Sequence, residues 1–218
     1  MNVVISGTSE GIGRASAQKF ITEGHTVYGF DIQEATIQSE NYHHVIHDVR
    51  NPLPDLPDDA LQANIVICSA GTIIEEDAIA VNLEGTMRFV EHFVESPNLQ
   101  SILFIASASA RNGSEFPRYV ASKAGIVAYT KNLALQVAAR NIKCNSISPG
   151  GVITSVNQHI LDSEELYAAV KAETLLGKWA EPEEIAEFAY FMTVVNTSMT
   201  GEDILIDNGE MLKSNFIW

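Results

Sequence analysis

The sequence predicts an α/β fold: one domain built on a doubly wound, parallel sheet of seven strands. Three observations carry this. Short β-branched runs alternate with longer helical patterns along all 218 residues. The runs are almost continuously apolar, as strands are when helices cover both faces of a sheet. A chain of this length with 46% hydrophobic residues can bury one substantial core, and neither an internal repeat nor a low-complexity segment interrupts it.

Val3-Val4-Ile5 is the first expected strand, and the helix after it closes at Gly24. Thr26 to Phe30, Val45-Ile46, Ile65-Val66-Ile67, Ile102 to Ile105, Ile142 to Ile147 and Ile204-Leu205-Ile206 supply the other six. Leu83, Met87, Val90 and Val94 fall at i, i+4, i+7 and i+11, which reads as the core stripe of one helix. Another helix is expected from about Arg118 to Arg140. A third begins after Glu181-Pro182, where a first-turn proline followed by Glu183 and Glu184 suits a helix N-terminus.

Bulk charge narrows the function. With 28 acidic against 13 basic residues the formal net charge is −15, which opposes binding to nucleic acid or anionic lipid. The opening MNVVISG lacks the basic n-region of a secretory signal, and no apolar stretch reaches membrane-spanning length; the expectation is a soluble, cytoplasmic protein. Cys68 and Cys144 sit within or beside apolar runs and read as buried, reduced thiols. His43, His44 and His47 lie around a strand, not on one helix face, so no metal site is expected.

Directly after the first strand comes Ser6-Gly7-Thr8-Ser9-Glu10-Gly11-Ile12-Gly13, leading into a helix. Glycines let a pyrophosphate approach the backbone, and the unpaired N–H groups at a helix start attract it. In this strand–turn–helix setting Gly7, Ser9, Gly11, Ile12 and Gly13 are candidates for dinucleotide binding. Asp31 stands 18 residues beyond Gly13 at the end of the second strand, where a carboxylate bonds the ribose hydroxyls and repels a 2′-phosphate. NAD is therefore expected over NADP. Tyr119 and Lys123, at i and i+4, project from one helix face, and Ser107 lies at the end of the fifth apolar run, at the sheet edge where ligands bind.

Taken in order, Ser6-Gly7-x-x-x-Gly11-Ile12-Gly13, Ser69-Ala70-Gly71, Asn82, Ser107, Tyr119-x-x-x-Lys123 and Pro149-Gly150 resemble the classical short-chain dehydrogenase/reductase family over nearly the whole chain. The resemblance implies a single NAD(P)-binding Rossmann-type domain over 1–218, with residues 153–178 as its substrate loop. It also implies an NAD(P)-dependent alcohol or ketone dehydrogenase-reductase with a catalytic tetrad of Asn82, Ser107, Tyr119 and Lys123. Asp48 and Val49 would lie beside the adenine, Ser69, Ala70 and Gly71 along the cofactor's inner side, and Pro149, Gly150, Val152 and Thr154 around the nicotinamide. Asn82 would hold a water in the proton relay. A small-molecule substrate and a homodimer or homotetramer follow from the same resemblance.

The chemistry asked of Tyr119 is a downward pKa shift of roughly 3 units, about 4 kcal/mol. An ammonium ~4 Å away at an effective dielectric of ~20 supplies about that much, so Lys123, helped by the positive nicotinamide ring of the oxidised cofactor, is expected to lower the phenol's pKa. Several features depart from the family. There is little room for a helix between Asp31 and Asp48, and ten residues separate Gly71 from Asn82, so the sheet is expected to be shortened and to lack crossover helices. Ser69 replaces the family's Asn, and Ser109 competes with Ser107 for the serine role. His159 is expected on an exposed loop, and the tail Phe216-Ile217-Trp218 at a subunit interface. From another functional class, a catalytically silent NAD sensor remains the alternative, against which the intact tetrad argues.

Overall fold

In the computed structural model, which describes residues 1–212, the first apolar run forms β1 (Asn2–Ser6) and the glycine turn leads into α1 (Gly11–Thr22). Next come β2 (Thr26–Asp31), β3 (Tyr42–Ile46), the short α2 (Asp58–Leu61) and β4 (Ile65–Cys68). A π-helical segment, Ile79–Gly85, runs into α3 (Thr86–Phe93). After it stand β5 (Ser101–Ile105), the four-residue α4 (Ser109–Asn112) and the long α5 (Pro117–Val137). The chain closes with β6 (Lys143–Pro149), α6 (Gln158–Leu161), α7 (Glu164–Ala172), α8 (Pro182–Tyr190) and β7 (Asp203–Ile206). The tail Phe216-Ile217-Trp218 lies outside the described residues.

All seven strands are parallel, in the order β3-β2-β1-β4-β5-β6-β7. The alternation of β1 divides the core into two layers. Val3 and Ile5 face Phe20 of α1 and Ile185 and Ala189 of α8; Val4 belongs to the opposite layer with Phe30, Phe89, Phe93, Ile126 and Leu133. Fully buried Phe20, Phe89, Phe93 and Phe104 each stabilise the fold by about 3–5 kcal/mol relative to alanine. The chain leaves β1 towards β3 and then returns across it to β4. That reversal opens a crevice at the C-terminal strand ends, where a doubly wound sheet binds its ligands.

Residues 32–41 and 69–77 contain no helix, so the expected shortening of the crossovers is present. Side chains fasten the first of these connections. Ser9 Oγ donates towards the carbonyls of Gln33 and Glu34, at 3.3 and 3.0 Å, and Thr36 Oγ1 donates to the Ser9 carbonyl at 2.7 Å. The bonds from Ser9 satisfy backbone oxygens of the connection that a helix would have paired internally.

The stripe expected at Leu83, Met87, Val90 and Val94 is rotated. The π segment shifts the helical phase, so Asn82, Thr86, Phe89, Val90 and Phe93 are buried, while Leu83, Met87 and Val94 are only partly covered. The helix expected to Arg140 keeps α geometry to Val137 and tightens to a 3₁₀ turn at Ala138–Arg140. The helix expected after Glu181-Pro182 is α8, and at its start the Glu184 carboxylate accepts the Glu181 N–H at 2.9 Å.

Candidate active site

A cavity of 690 Å³ follows the C-terminal strand ends from the glycine turn to the segments after β5 and β6. At one end the backbone turns at Gly7 with φ 79°. A Cβ on Gly13 would stand 1.9 Å from the Gly7 carbonyl oxygen, so only glycine lets helix and strand approach this closely. No side chain caps α1. Glu10, at its N-cap position, instead accepts the Ser155 hydroxyl at 2.7 Å, which leaves first-turn N–H groups for an anion. Gly7, Gly11, Ile12 and Gly13 line the cavity, but Ser9 does not; it is buried and fastened to the β2–β3 connection.

Asp31 lines the cavity while its carboxylate accepts the N–H of Ser9 at 2.9 Å and of Gln33 at 3.0 Å. Further along lie His47, Asp48, Val49 and Arg50. The Arg50 guanidinium grips the Asp48 carboxylate through Nε and Nη2, at 3.0 and 2.7 Å, and holds its pKa below the usual carboxylate value. His47 and Arg50 carry no motif of their own, and only the fold brings them to the cavity wall. His43 stacks on Tyr28 and His44 Nδ1 bonds the Tyr42 hydroxyl at 2.8 Å, so the three histidines serve three different neighbours. Among the described residues no cluster of His, Cys, Asp or Glu is arranged to hold a metal ion. Cys68 and Cys144 are buried free thiols, and burial pushes the Cys144 pKa up to about 12.

The strand ends and α5 bring Ser107, Tyr119 and Lys123 into the same cavity, with Ser69, Ala70, Gly71, Pro149, Gly150, Val152 and Thr154 along its wall. Ser109 is a partner of Ser107, not a competitor: its hydroxyl donates to Ser107 Oγ at 2.9 Å and its N–H does so at 3.2 Å. With both donors directed at its oxygen, Ser107 keeps its own proton to give.

Lys123 is buried, and its Nζ donates to the Ile105 carbonyl at 2.9 Å, 5.8 Å from the centre of the Tyr119 ring. Burial raises Tyr119 to about 12, with the Ser107 hydroxyl opposing and Glu115 adding, and Lys123 is not among the causes. The lysine is itself pushed down to about 8 by burial. Burial is the largest cause of both shifts.

Asn82 stands apart from the other three. It is buried and does not line the cavity. Its Oδ1 accepts the Thr72 N–H at 2.7 Å, and its Nδ2 donates to the Thr72 carbonyl at 2.9 Å and to Ser122 Oγ at 3.1 Å. Both amide hydrogens are thereby spent on tying the β4–α3 connection to α5, and one lone pair on Oδ1 is left for any water. His159 is exposed and off the cavity, on α6 and not on a loop, whereas Trp179, Glu115, Glu173 and Glu210 line it without any signal in their local sequence.

The family model described as "Enoyl-(Acyl carrier protein) reductase" matches residues 68–210, a stretch holding Asn82, Ser107, Tyr119 and Lys123. An uncharacterized oxidoreductase of Bacillus subtilis is 31% identical over 246 aligned positions, covering 95% of this chain and 90% of the relative. The chain belongs to the short-chain dehydrogenase/reductase family. It is thus an oxidoreductase of an NAD(P)-dependent family. L-rhamnose 1-dehydrogenase (NADP(+)) of Thermoplasma acidophilum is 26% identical, with 97% of this chain and 96% of that protein aligned. A short-chain dehydrogenase structure from Francisella tularensis superposes with a TM-score of 0.85 at 26% identity, covering 97% of this chain and 99% of that one. The 246 positions aligned with the Bacillus relative exceed the 218 residues of this chain, so this short-chain dehydrogenase/reductase lacks segments its relative has.

Proposed function

We propose that this protein transfers a hydride between NAD(H) and the alcohol or carbonyl carbon of a small organic substrate, with Tyr119 as its acid/base. One observation carries the reading: Ser107, Tyr119 and Lys123 open into the same cavity as the glycine turn and Asp31. The uncapped start of α1 fits a pyrophosphate. Asp31, with Glu10 lining the same cavity, favours the unphosphorylated ribose of NAD. Arg14, the cation nearest the glycine turn in sequence, bonds Thr36 and Gln18 at 3.2 and 3.4 Å and does not line the cavity, and Arg50, which does, is held by the Asp48 carboxylate.

When bound, the nicotinamide ring supplies or accepts the hydride. The chain's own residues handle the oxygen and its proton. A phenol held near 12 stays protonated at neutral pH, so Tyr119 can donate its proton to a carbonyl oxygen as that oxygen gains negative charge. Ser107 Oγ, oriented by Ser109, gives a second hydrogen bond to the same oxygen. Lys123, anchored on the Ile105 carbonyl, holds a cation behind Tyr119 for the opposite direction, in which the phenol must lose its proton.

Fluorescence titration with NADH and NADPH, followed by a panel of carbonyl substrates, tests the proposal. NADH should bind more tightly than NADPH and be oxidised with at least one carbonyl. Tight NADH binding without turnover of any panel member would instead leave a sensor.

A further inference from the structure

The helix carrying Tyr119 and Lys123 starts without a cap of its own. Phe116 occupies the N-cap position, Pro117 the first helical position, and the first turn holds no acidic residue. Proline has no N–H, so the open donors of that turn include those of Arg118 and Tyr119. Glu75, 43 residues away in sequence, fills the first of these: its Oε1 accepts the Arg118 N–H at 2.8 Å. Its Oε2 is buried and has no hydrogen-bond partner among the described residues. The positive end of a helix compensates a carboxylate placed in this way.

Glu75 lies in the β4–α3 connection, where the crossover helix is missing. The same connection is tied at Thr72, through Asn82, to Ser122 of α5. One loop therefore grips one helix at two points, Arg118 and Ser122, and Tyr119 stands between them.

We propose that Glu75 is a positioning residue: by capping α5 from the shortened connection it fixes the helix's first turn, and with it the place of the Tyr119 hydroxyl in the cavity. This rests on the acid/base role proposed for Tyr119. A misplacement of ~1 Å can cost about 100-fold in rate, so loss of a cap that lets one turn fray is expected to cost about tenfold.

The test compares native protein, Glu75→Ala, Glu75→Gln and the double variant Glu75→Ala/Phe116→Ser, reading kcat, KM, NADH affinity and Tm. Phe116 has φ −76° and ψ 135° and is 53% exposed, so a serine there has the backbone geometry of an N-cap. Glu75→Ala should lower kcat about tenfold while NADH affinity stays within about twofold. Glu75→Gln, whose amide oxygen still accepts the Arg118 N–H, should stay near native, and the double variant should recover most of the lost kcat. A Glu75→Ala protein with native kcat well below its Tm overturns the proposal, because the cap would then be structural only. So does a folded double variant that keeps the alanine variant's rate. If Glu75→Ala fails to fold, the double variant must fold and turn over, and failure there overturns it equally. Absence of turnover in the native protein would overturn the acid/base reading itself, a result separate from any effect of Glu75.

Discussion

Replacing Lys123 by methionine should stabilise the fold while removing its activity. The Lys123 side chain is buried, 6% exposed, and burial holds its pKa at about 8 against an ordinary 10.5. That gap corresponds to about 3 kcal/mol of penalty for carrying the charged lysine in the folded state at neutral pH. Methionine removes the penalty and forfeits the hydrogen bond to the Ile105 carbonyl, worth about 1.5–3 kcal/mol for a charged donor. The balance is a stabilisation of up to about 1.5 kcal/mol, or roughly 3–6 °C in Tm for a chain of this size. Because the folded pKa is depressed, the unfolded chain binds more protons between about pH 8 and 10.5, and native stability gains with rising pH across that window. The advantage of Lys123→Met should therefore be largest below pH 8 and should disappear, then reverse, as pH approaches 10.5. Thermal melts of both proteins at pH 7, 8, 9 and 10, with NADH turnover measured alongside, check both halves. A variant less stable than native by the same amount at every pH would refute the reasoning, as would one that keeps native turnover.

Asp31→Ala should relax the preference for NADH over NADPH by about tenfold or more. It should also cost about 1–3 kcal/mol in stability, because the Ser9 and Gln33 N–H groups lose their acceptor; an unchanged NADH/NADPH ratio would show that Asp31 does not read the ribose. Gly13→Ala places a Cβ 1.9 Å from the Gly7 carbonyl oxygen, so the turn must open and NADH affinity should fall by at least about tenfold, which the same fluorescence titration reads directly. Glu115, Glu173 and Glu210 line the cavity; burial, then repulsion from Glu210, raises the Glu115 carboxyl pKa, and burial, then repulsion from Asp207 and Glu173, raises that of Glu210. Across a matched alcohol series, kcat/KM for neutral or ammonium-bearing members should therefore exceed that for carboxylates by about tenfold, and the reverse order would contradict the placement of these acids.

The sheet was legible because strands covered on both faces leave unbroken apolar runs such as Val3 to Ile5 and Ile102 to Ile105, and those runs need no knowledge of their neighbours. The glycine turn and the Tyr119–Lys123 spacing were legible for the same reason: both are local. What escaped depends on contacts between distant segments. The π segment changes helical phase between Ile79 and Gly85, so a stripe counted at a constant 3.6 residues per turn pointed Met87 inward in place of Phe89. Asn82 was expected beside a water, and its bonds to Thr72 and Ser122 join segments that no local pattern links. The expected effect on Tyr119 counted the attraction of positive charges and could not count the burial of Tyr119 and Lys123. Glu115, Glu173 and Glu210 come from three separate segments, and no pattern in any one of them marks a shared cavity.

The central claim, that Tyr119 moves the substrate's proton, is tested most directly by Tyr119→Phe, which removes one oxygen and leaves the ring. With NADH affinity confirmed by fluorescence, the account predicts native cofactor binding and a fall in kcat of at least about 100-fold, measured as NADH oxidation with a carbonyl the native enzyme reduces. Turnover at the native rate in that variant would contradict it.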